Sequence, residues 1–158
     1  MRLKNNFLYI IVFIVFTNCG FKVLDKTILN KFEINEINSV GDKRINFLIK
    51  NNVSKLINSK NAEELIDIEI NSSKTKVIKE KNKNNKITKY SIKIITSLKI
   101  TFLNKNKTKN FTVSKDGYYD VTDNNNANRE ALRRLEENLT NEISQKIVKN
   151  ILQLANDN

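Results

Sequence analysis

Along the middle of the chain, apolar and polar positions alternate. Ile66, Ile68 and Ile70 face one way and Asp67, Glu69 and Asn71 the other, the period of a half-buried strand. This strand is expected to run on toward Glu80. A longer alternation follows, with Tyr90, Ile92, Ile94, Thr96, Leu98, Ile100 and Phe102 on one face and Lys93, Ser97 and Lys99 on the other. Phe111 and Val113, then Tyr119 and Val121, predict a further strand, interrupted near Asp116-Gly117 by a bulge or tight turn. Upstream, Phe32 and Ile34 stand two apart within residues 31–37 and predict a first strand, which Gly41-Asp42 ends.

The period changes between these strands. Ile45, Leu48, Ile49, Val53, Leu56 and Ile57 recur at spacings of three, four and seven, predicting an amphipathic helix with Asp42 as its cap. From about residue 126 to 155, Ala131, Leu135, Leu139, Ile143, Ile147 and Ile151 fall four apart, reinforced by Leu132, Val148 and Leu152. This predicts a long helix with one apolar stripe. Glu130 with Arg134 and Glu142 with Lys146 are i,i+4 pairs on its wet side.

The connections at residues 81–86 and 104–109 are short, polar and rich in Asn. The strands they join are expected to pair as antiparallel hairpins. Each strand has one apolar face and each helix one apolar side. The order β-α-β-β-β-α therefore predicts a two-layer α+β sandwich, a mostly antiparallel sheet of about four strands with two helices on one face. Residues 31–158 form one domain in this reading.

Composition changes the picture at the N-terminus. Arg2 and Lys4 precede an unbroken apolar run from Phe7 to Phe16, the basic and apolar regions of an export signal. At ~1.5 Å per residue the run reaches only ~15 Å, half of a ~30 Å hydrocarbon core. Residues 1–18 are therefore expected to be a cleaved signal peptide and residues 19–30 a tether. The formal charge of +11 falls to +9 when Arg2 and Lys4 leave with the signal. Outside the cytoplasm so basic a chain meets anionic head groups and polysaccharide phosphates rather than nucleic acid. Lys93 and Lys99, interleaved with Ser and Thr, also lack the aromatic neighbours of a base-stacking face.

The chain carries no His and a single Cys, at position 19. No intramolecular disulfide can form, and no set of soft ligands exists for a metal. Hydrolytic chemistry lacks its usual base, so no catalytic residue and no enzymatic activity is expected. Gly20, Gly41 and Gly117 stand far apart and make no phosphate loop. The carboxylate neighbours Asp67 with Glu69 and Glu136 with Glu137 are expected on solvated faces.

Phe16-Thr17-Asn18-Cys19 closes the apolar run where a bacterial lipobox would end. The segment resembles that motif, with Phe16 and Asn18 departing from its usual small residues. The resemblance implies that Cys19 becomes the first mature residue, carrying diacylglycerol on its sulfur and a further acyl chain such as palmitate. No other cofactor is implied. Cys19-Gly20-Phe21, with Leu24 close behind, resembles the mature start of the LptE family. The order of elements resembles that family over the whole mature chain.

The resemblance implies an outer-membrane lipoprotein, anchored at the periplasmic face, that plugs the LptD β-barrel, helps it assemble and contacts lipopolysaccharide during export. Gly20 after the anchor implies sorting to the outer membrane. In the expected meander the 81–86 turn lies at one end of the sheet, beside the 123–126 connection, and gathers Lys79, Lys81, Lys83 and Lys86 into a positive patch. These four are the candidate lipopolysaccharide-binding residues, through lipid A phosphates. Lys105, Lys107 and Lys109 mark the opposite end. The alternative reading, which the same sequence would serve, is a structural or scaffold envelope lipoprotein that binds protein partners without touching lipopolysaccharide.

Overall fold

The computed structural model describes residues 30–59 and 62–156. The signal segment 1–18, Cys19 and the tether up to residue 29 lie outside the described residues. Six elements follow one another: β1 (Phe32–Gly41), α1 (Lys43–Leu56), β2 (Glu64–Lys81), β3 (Ile87–Phe102), β4 (Lys107–Asp120) and α2 (Asn125–Asn156). The sheet order is β1-β2-β3-β4. β1 pairs with β2 in parallel across the α1 crossover, whereas β2 with β3 and β3 with β4 are antiparallel. The expected α+β order and the mostly antiparallel sheet are both present.

One face of the sheet carries the core. Ile66, Ile68 and Ile70 of β2, Ile92, Ile94, Leu98, Ile100 and Phe102 of β3, and Val113 and Tyr119 of β4 are buried against the helices. α1 lies over β1 and β2, α2 lies over β4 and β3, and the helices pack on each other. Ile45, Ile49 and Val53 of α1 and Leu139, Ile143, Ile147, Val148, Ile151 and Leu152 of α2 complete the core, matching the apolar stripes at helical spacing. Asp42 Oδ1 accepts from the backbone N–H groups of Arg44 at 3.1 Å and Ile45 at 3.0 Å, the expected N-cap. Asn124 caps α2 in the same way, accepting from Asn126 and Ala127. Thr140 and Ser144 are fully buried. Their hydroxyls donate to the carbonyls of Glu136 and Thr140 one turn back in their own helix.

Three expectations need correction. β4 is continuous through Asp116-Gly117, with an unbroken register against β3 and neither bulge nor turn. Gly117 sits in the strand because α2 crosses closely: a Cβ there would stand 2.8 Å from Leu135 Cδ1. β1 runs on to Gly41, which is the strand's last residue rather than a break and pairs with Ser72. Glu142 reaches Lys115 of β4 at 2.7 Å in place of the expected pair with Lys146.

Candidate functional site

The tip of the β2–β3 hairpin is built by asparagines. Asn82 Oδ1 accepts from the backbone N–H groups of Asn84 and Lys86, both at 3.0 Å, and Asn85 takes a left-handed φ of 60° that Asn tolerates better than most residues. Below the turn the pairing slips twice. Ile78 faces Tyr90 and Glu80 faces Lys89, so Lys79 is an extra residue on β2, and the register shifts again before Lys81 faces Ile87. Lys79 lies over the open face of the sheet, the side that alternation gives the odd-numbered residues of β2, and its ammonium is 3.8 Å from the centre of the exposed Tyr118 ring.

The four sequence-predicted lysines thus share one hairpin tip in different surroundings. Lys79 stacks on Tyr118, Lys81 donates to Asn85 Oδ1 at 3.0 Å, and Lys86 pairs with Asp123. The Lys86 hydrogen bond and charge hold the Asp123 carboxyl below the usual carboxylate range. Lys83 is exposed and makes no such contact with the described residues. The chain leaving β4 does return to this end of the sheet, as the meander requires. Lys105, Lys107 and Lys109 lie at the opposite end, where Lys105 approaches Glu64 at 3.6 Å.

Two further features of the tip had no signal in the pattern of lysines. Lys89 hydrogen-bonds Glu80 at 2.9 Å and lies 3.7 Å from Asp120; the Glu80 bond, opposed by desolvation, raises the Lys89 ammonium above its ordinary pKa. On the helix side, Lys76 stands 3.8 Å from the Tyr90 ring centre, and Tyr90 and Tyr119 pack together at 5.8 Å. Tyrosine rings therefore flank the cations on both faces. Val77 and Ile78 are about half exposed beside them, so the tip joins positive charge to apolar surface.

The sheet face away from the helices is largely polar, with Val77, Ile95 and Tyr118 its exposed apolar and aromatic residues. Ser97 meets Thr112 and Thr101 meets Thr108, both through hydroxyls at 3.3 Å, and Lys99 pairs with Glu69 at 2.7 Å. Asn38, Val40, Glu69, Asn71, Ser97, Lys99, Asn110 and Thr112 border a shallow depression of ≈ 660 Å³ there. This face agrees with the solvated reading of Glu69. Asp67, on the same face, is half-buried and accepts from Asn35 at 2.8 Å.

Glu136 contradicts the solvated reading. It is only 3 % exposed and is gripped by Arg44 Nε and Lys74 Nζ, both at 2.8 Å. Burial opposes the charge of Lys74, yet the hydrogen bond and charge of Glu136, aided by Asp42 at 3.6 Å, hold its pKa above the ordinary value. This cluster ties α1, β2 and α2 together, with Glu136 buried beneath a half-exposed Arg44. On the wet side of α2, hydrogen bonds from Arg133 and Arg134 bring the Glu130 carboxyl down to about 2.

Among the described residues no group of His, Cys, Asp or Glu is placed to hold a metal ion, and no helix is long and apolar enough to cross a membrane.

No family model matches the chain, and no curated protein matches its sequence. Solved structures do match its fold. Rare lipoprotein B from Shewanella oneidensis is 11 % identical with a TM-score of 0.59, covering 78 % of this chain and 98 % of that one. Lipoprotein B from Nitrosomonas europaea is 11 % identical with a TM-score of 0.55, covering 87 % and 93 %. A minor lipoprotein from Acinetobacter baumannii is 12 % identical with a TM-score of 0.51, covering 76 % and 94 %. The chain has the fold of these bacterial lipoproteins over nearly their whole length.

Proposed function

We propose that this protein is an LptE-like outer-membrane lipoprotein. In this reading it is anchored through acylated Cys19, plugs and helps assemble an LptD-like β-barrel, and meets lipopolysaccharide through Lys79, Lys81, Lys83 and Lys86. The observation that carries the proposal is the two-layer fold shared with rare lipoprotein B; the single cysteine at the end of a basic and apolar run, the pattern of an export signal, supports it. The largely polar sheet face suits the polar lumen of a large barrel. Ammonium groups beside tyrosine rings and the apolar Val77 and Ile78 suit an amphiphile that carries both phosphates and acyl chains. No covalent chemistry is involved.

One observation favours the structural-lipoprotein reading: Lys79, Lys81 and Lys86 already have partners within the chain. The triple variant Lys81→Glu, Lys83→Glu, Lys86→Glu separates the two. Binding of purified lipopolysaccharide, measured at low and moderate salt, is expected to weaken more than tenfold, or about 1.4 kcal/mol. The exposed turn should keep the protein folded. Unchanged binding by a folded variant sinks the patch. Recovery of one large β-barrel in near-equal amount from detergent-solubilised outer membrane would support the plug; recovery of inner-membrane transporters or peptidoglycan enzymes would count against it.

The anchor has its own test, made necessary by Asn18 just before the cleavage point. A fatty-acid probe supplied to growing cells is expected to label the wild type and leave Cys19→Ala unlabelled. Equal labelling of the two would refute the anchor.

A further inference from the structure

The outer side of α1 carries charge of one sign. The helix holds Lys43, Arg44, Lys50 and Lys55 and no Asp or Glu. Arg44 pairs with Glu136, whereas Lys43, Lys50 and Lys55 stand exposed. Lys43, Phe47, Lys50 and Ser54 follow at spacings of four, three and four and so share one stripe of the helix. Phe47, in the middle of that stripe, is 62 % exposed, and Val40 near the end of β1 is 70 % exposed, the two largest values for any large apolar side chain among the described residues.

Val40 and Phe47 belong to one corner of the molecule. With Lys43 and Lys50 they border a shallow groove of ≈ 390 Å³ where β1 passes into α1. The buried Asn46 fixes the corner, its Nδ2 donating to Val40 O at 2.7 Å, and Lys50 Nζ donates to Ile37 O at 3.3 Å. Glu36 is the one exposed carboxylate in β1 and α1, against three exposed lysines. An apolar pair set between ammonium groups suits a head-group layer, with the cations at the level of the phosphates and the apolar side chains below them.

From this geometry we infer that the corner between β1 and α1 rests on an anionic bilayer surface, with Phe47 and Val40 entering the head-group layer and Lys43 and Lys50 meeting its phosphates. Size selects a bilayer over a protein: two apolar side chains and one shallow groove fall short of the ~800 Å² that a stable protein interface covers on each partner. Chain length permits the contact. The thirteen residue steps from Cys19 to Phe32 reach at most ~47 Å at ~3.6 Å each, and Val40 lies about 26 Å beyond Phe32, eight steps of ~3.3 Å. An anchor at Cys19 therefore leaves this corner free to meet the leaflet that holds the acyl chains. The reach depends on the acylated Cys19 proposed above, whereas the chemistry of the corner does not. The acyl chains supply attachment, and the corner sets how the domain lies on the membrane.

The test uses the chain from residue 20 on, which keeps all six elements and lacks both signal and anchor, so that a failure of acylation cannot pass for a failure of the corner. The protein has no Trp, and Phe47→Trp therefore places the sole indole at the corner. Vesicles of phosphatidylethanolamine with phosphatidylglycerol are expected to shift its emission to the blue, and brominated acyl chains to quench it; phosphatidylcholine vesicles should do neither. Ile95→Trp, on the open face of the sheet, should not respond. Affinity for the anionic vesicles should fall about tenfold or more in Lys43→Glu with Lys50→Glu, since each ammonium near such a surface contributes to binding. Lys83→Glu with Lys86→Glu, the same change of charge at the hairpin tip, should lower it less than about threefold, because only charges close to the surface escape screening. An unshifted Phe47→Trp, an equal response from Ile95→Trp, or full affinity in the Lys43 and Lys50 variant would overturn the inference. A larger loss in the hairpin variant than in the corner variant would overturn it as well, while leaving the lipopolysaccharide patch standing.

Discussion

Gly41→Ala is expected to lower the free energy of unfolding by roughly 2–4 kcal/mol, among the largest effects of any single methyl group in this chain. Gly41 has a φ of +98°, a region that a residue with a Cβ enters only under strain. The added carbon would also stand 2.2 Å from Ser72 O and 3.0 Å from Asn71 Oδ1. The first of these is backbone, which cannot swing aside. Ser72 O is moreover the acceptor for the Asp42 N–H at 2.8 Å, so moving it disturbs the residue that caps α1. Urea unfolding of the purified protein would read the change as a shift in midpoint at constant slope. Gly117→Ala is the control: its φ is not positive, and its close neighbour is the end of the Leu135 side chain, which can turn. Equal losses for the two would refute this account of Gly41.

Ile143→Ala and Leu139→Ala are each expected to cost ~2–5 kcal/mol, the range for deleting a large aliphatic group from a packed core. Ile143 is fully buried and Leu139 nearly so, and both lie on the stripe that α2 turns to the sheet. Leu139 lies near Gly117 as well, its Cδ2 being 3.5 Å from where a Cβ would be. Gln145, two residues beyond Ile143 and exposed, serves as the surface control; Gln145→Ala should stay within about 0.5 kcal/mol. A loss below about 1 kcal/mol for both core variants would mean that the stripe is not packed in the isolated protein.

Most of the fold was legible because single periods ran long. β3 keeps its alternation over seven core-side positions, and α2 repeats its apolar residue every four positions from Ala131 to Ile151. Where the reading failed, the period had been interrupted by geometry. Asn35 is an extra residue in β1, so Phe32, Ile34 and Ile37 share a face at spacings of two and then three, and the period of two ends before the strand does. In β4, Gly117 occupies a core-side place that the parity of Phe111, Val113, Tyr119 and Val121 already reserved for an inward residue; composition suggested a turn, whereas the alternation argued for continuity.

The candidate site was legible in charge and not in compensation. Meander topology placed Asp123 beside the lysine turn, but the stacking of Lys79 on Tyr118 depends on the register across β2, β3 and β4, which no local pattern announced. Glu136 offered one usable hint: it falls four residues after Leu132 and three before Leu139, within the apolar stripe. Its partners are 92 and 62 residues away in sequence, beyond the reach of any helical spacing rule.

The buried carboxylate also bears on how α2 finds its place along the sheet. An apolar stripe that repeats every four residues looks nearly the same after the helix slides by one turn, and the hydroxyls of Thr140 and Ser144, bonded to their own helix, do not resist such a slide. A slide in either direction would bring Leu132 or Thr140 to the place where Glu136 now meets Arg44 and Lys74, leaving Arg44 without its carboxylate, Lys74 with only Asp42 at 3.6 Å, and one carboxylate stranded among apolar side chains. Glu136 therefore acts as an axial pin: it singles out one alignment of α2 from a set that hydrophobic burial alone would leave close in energy.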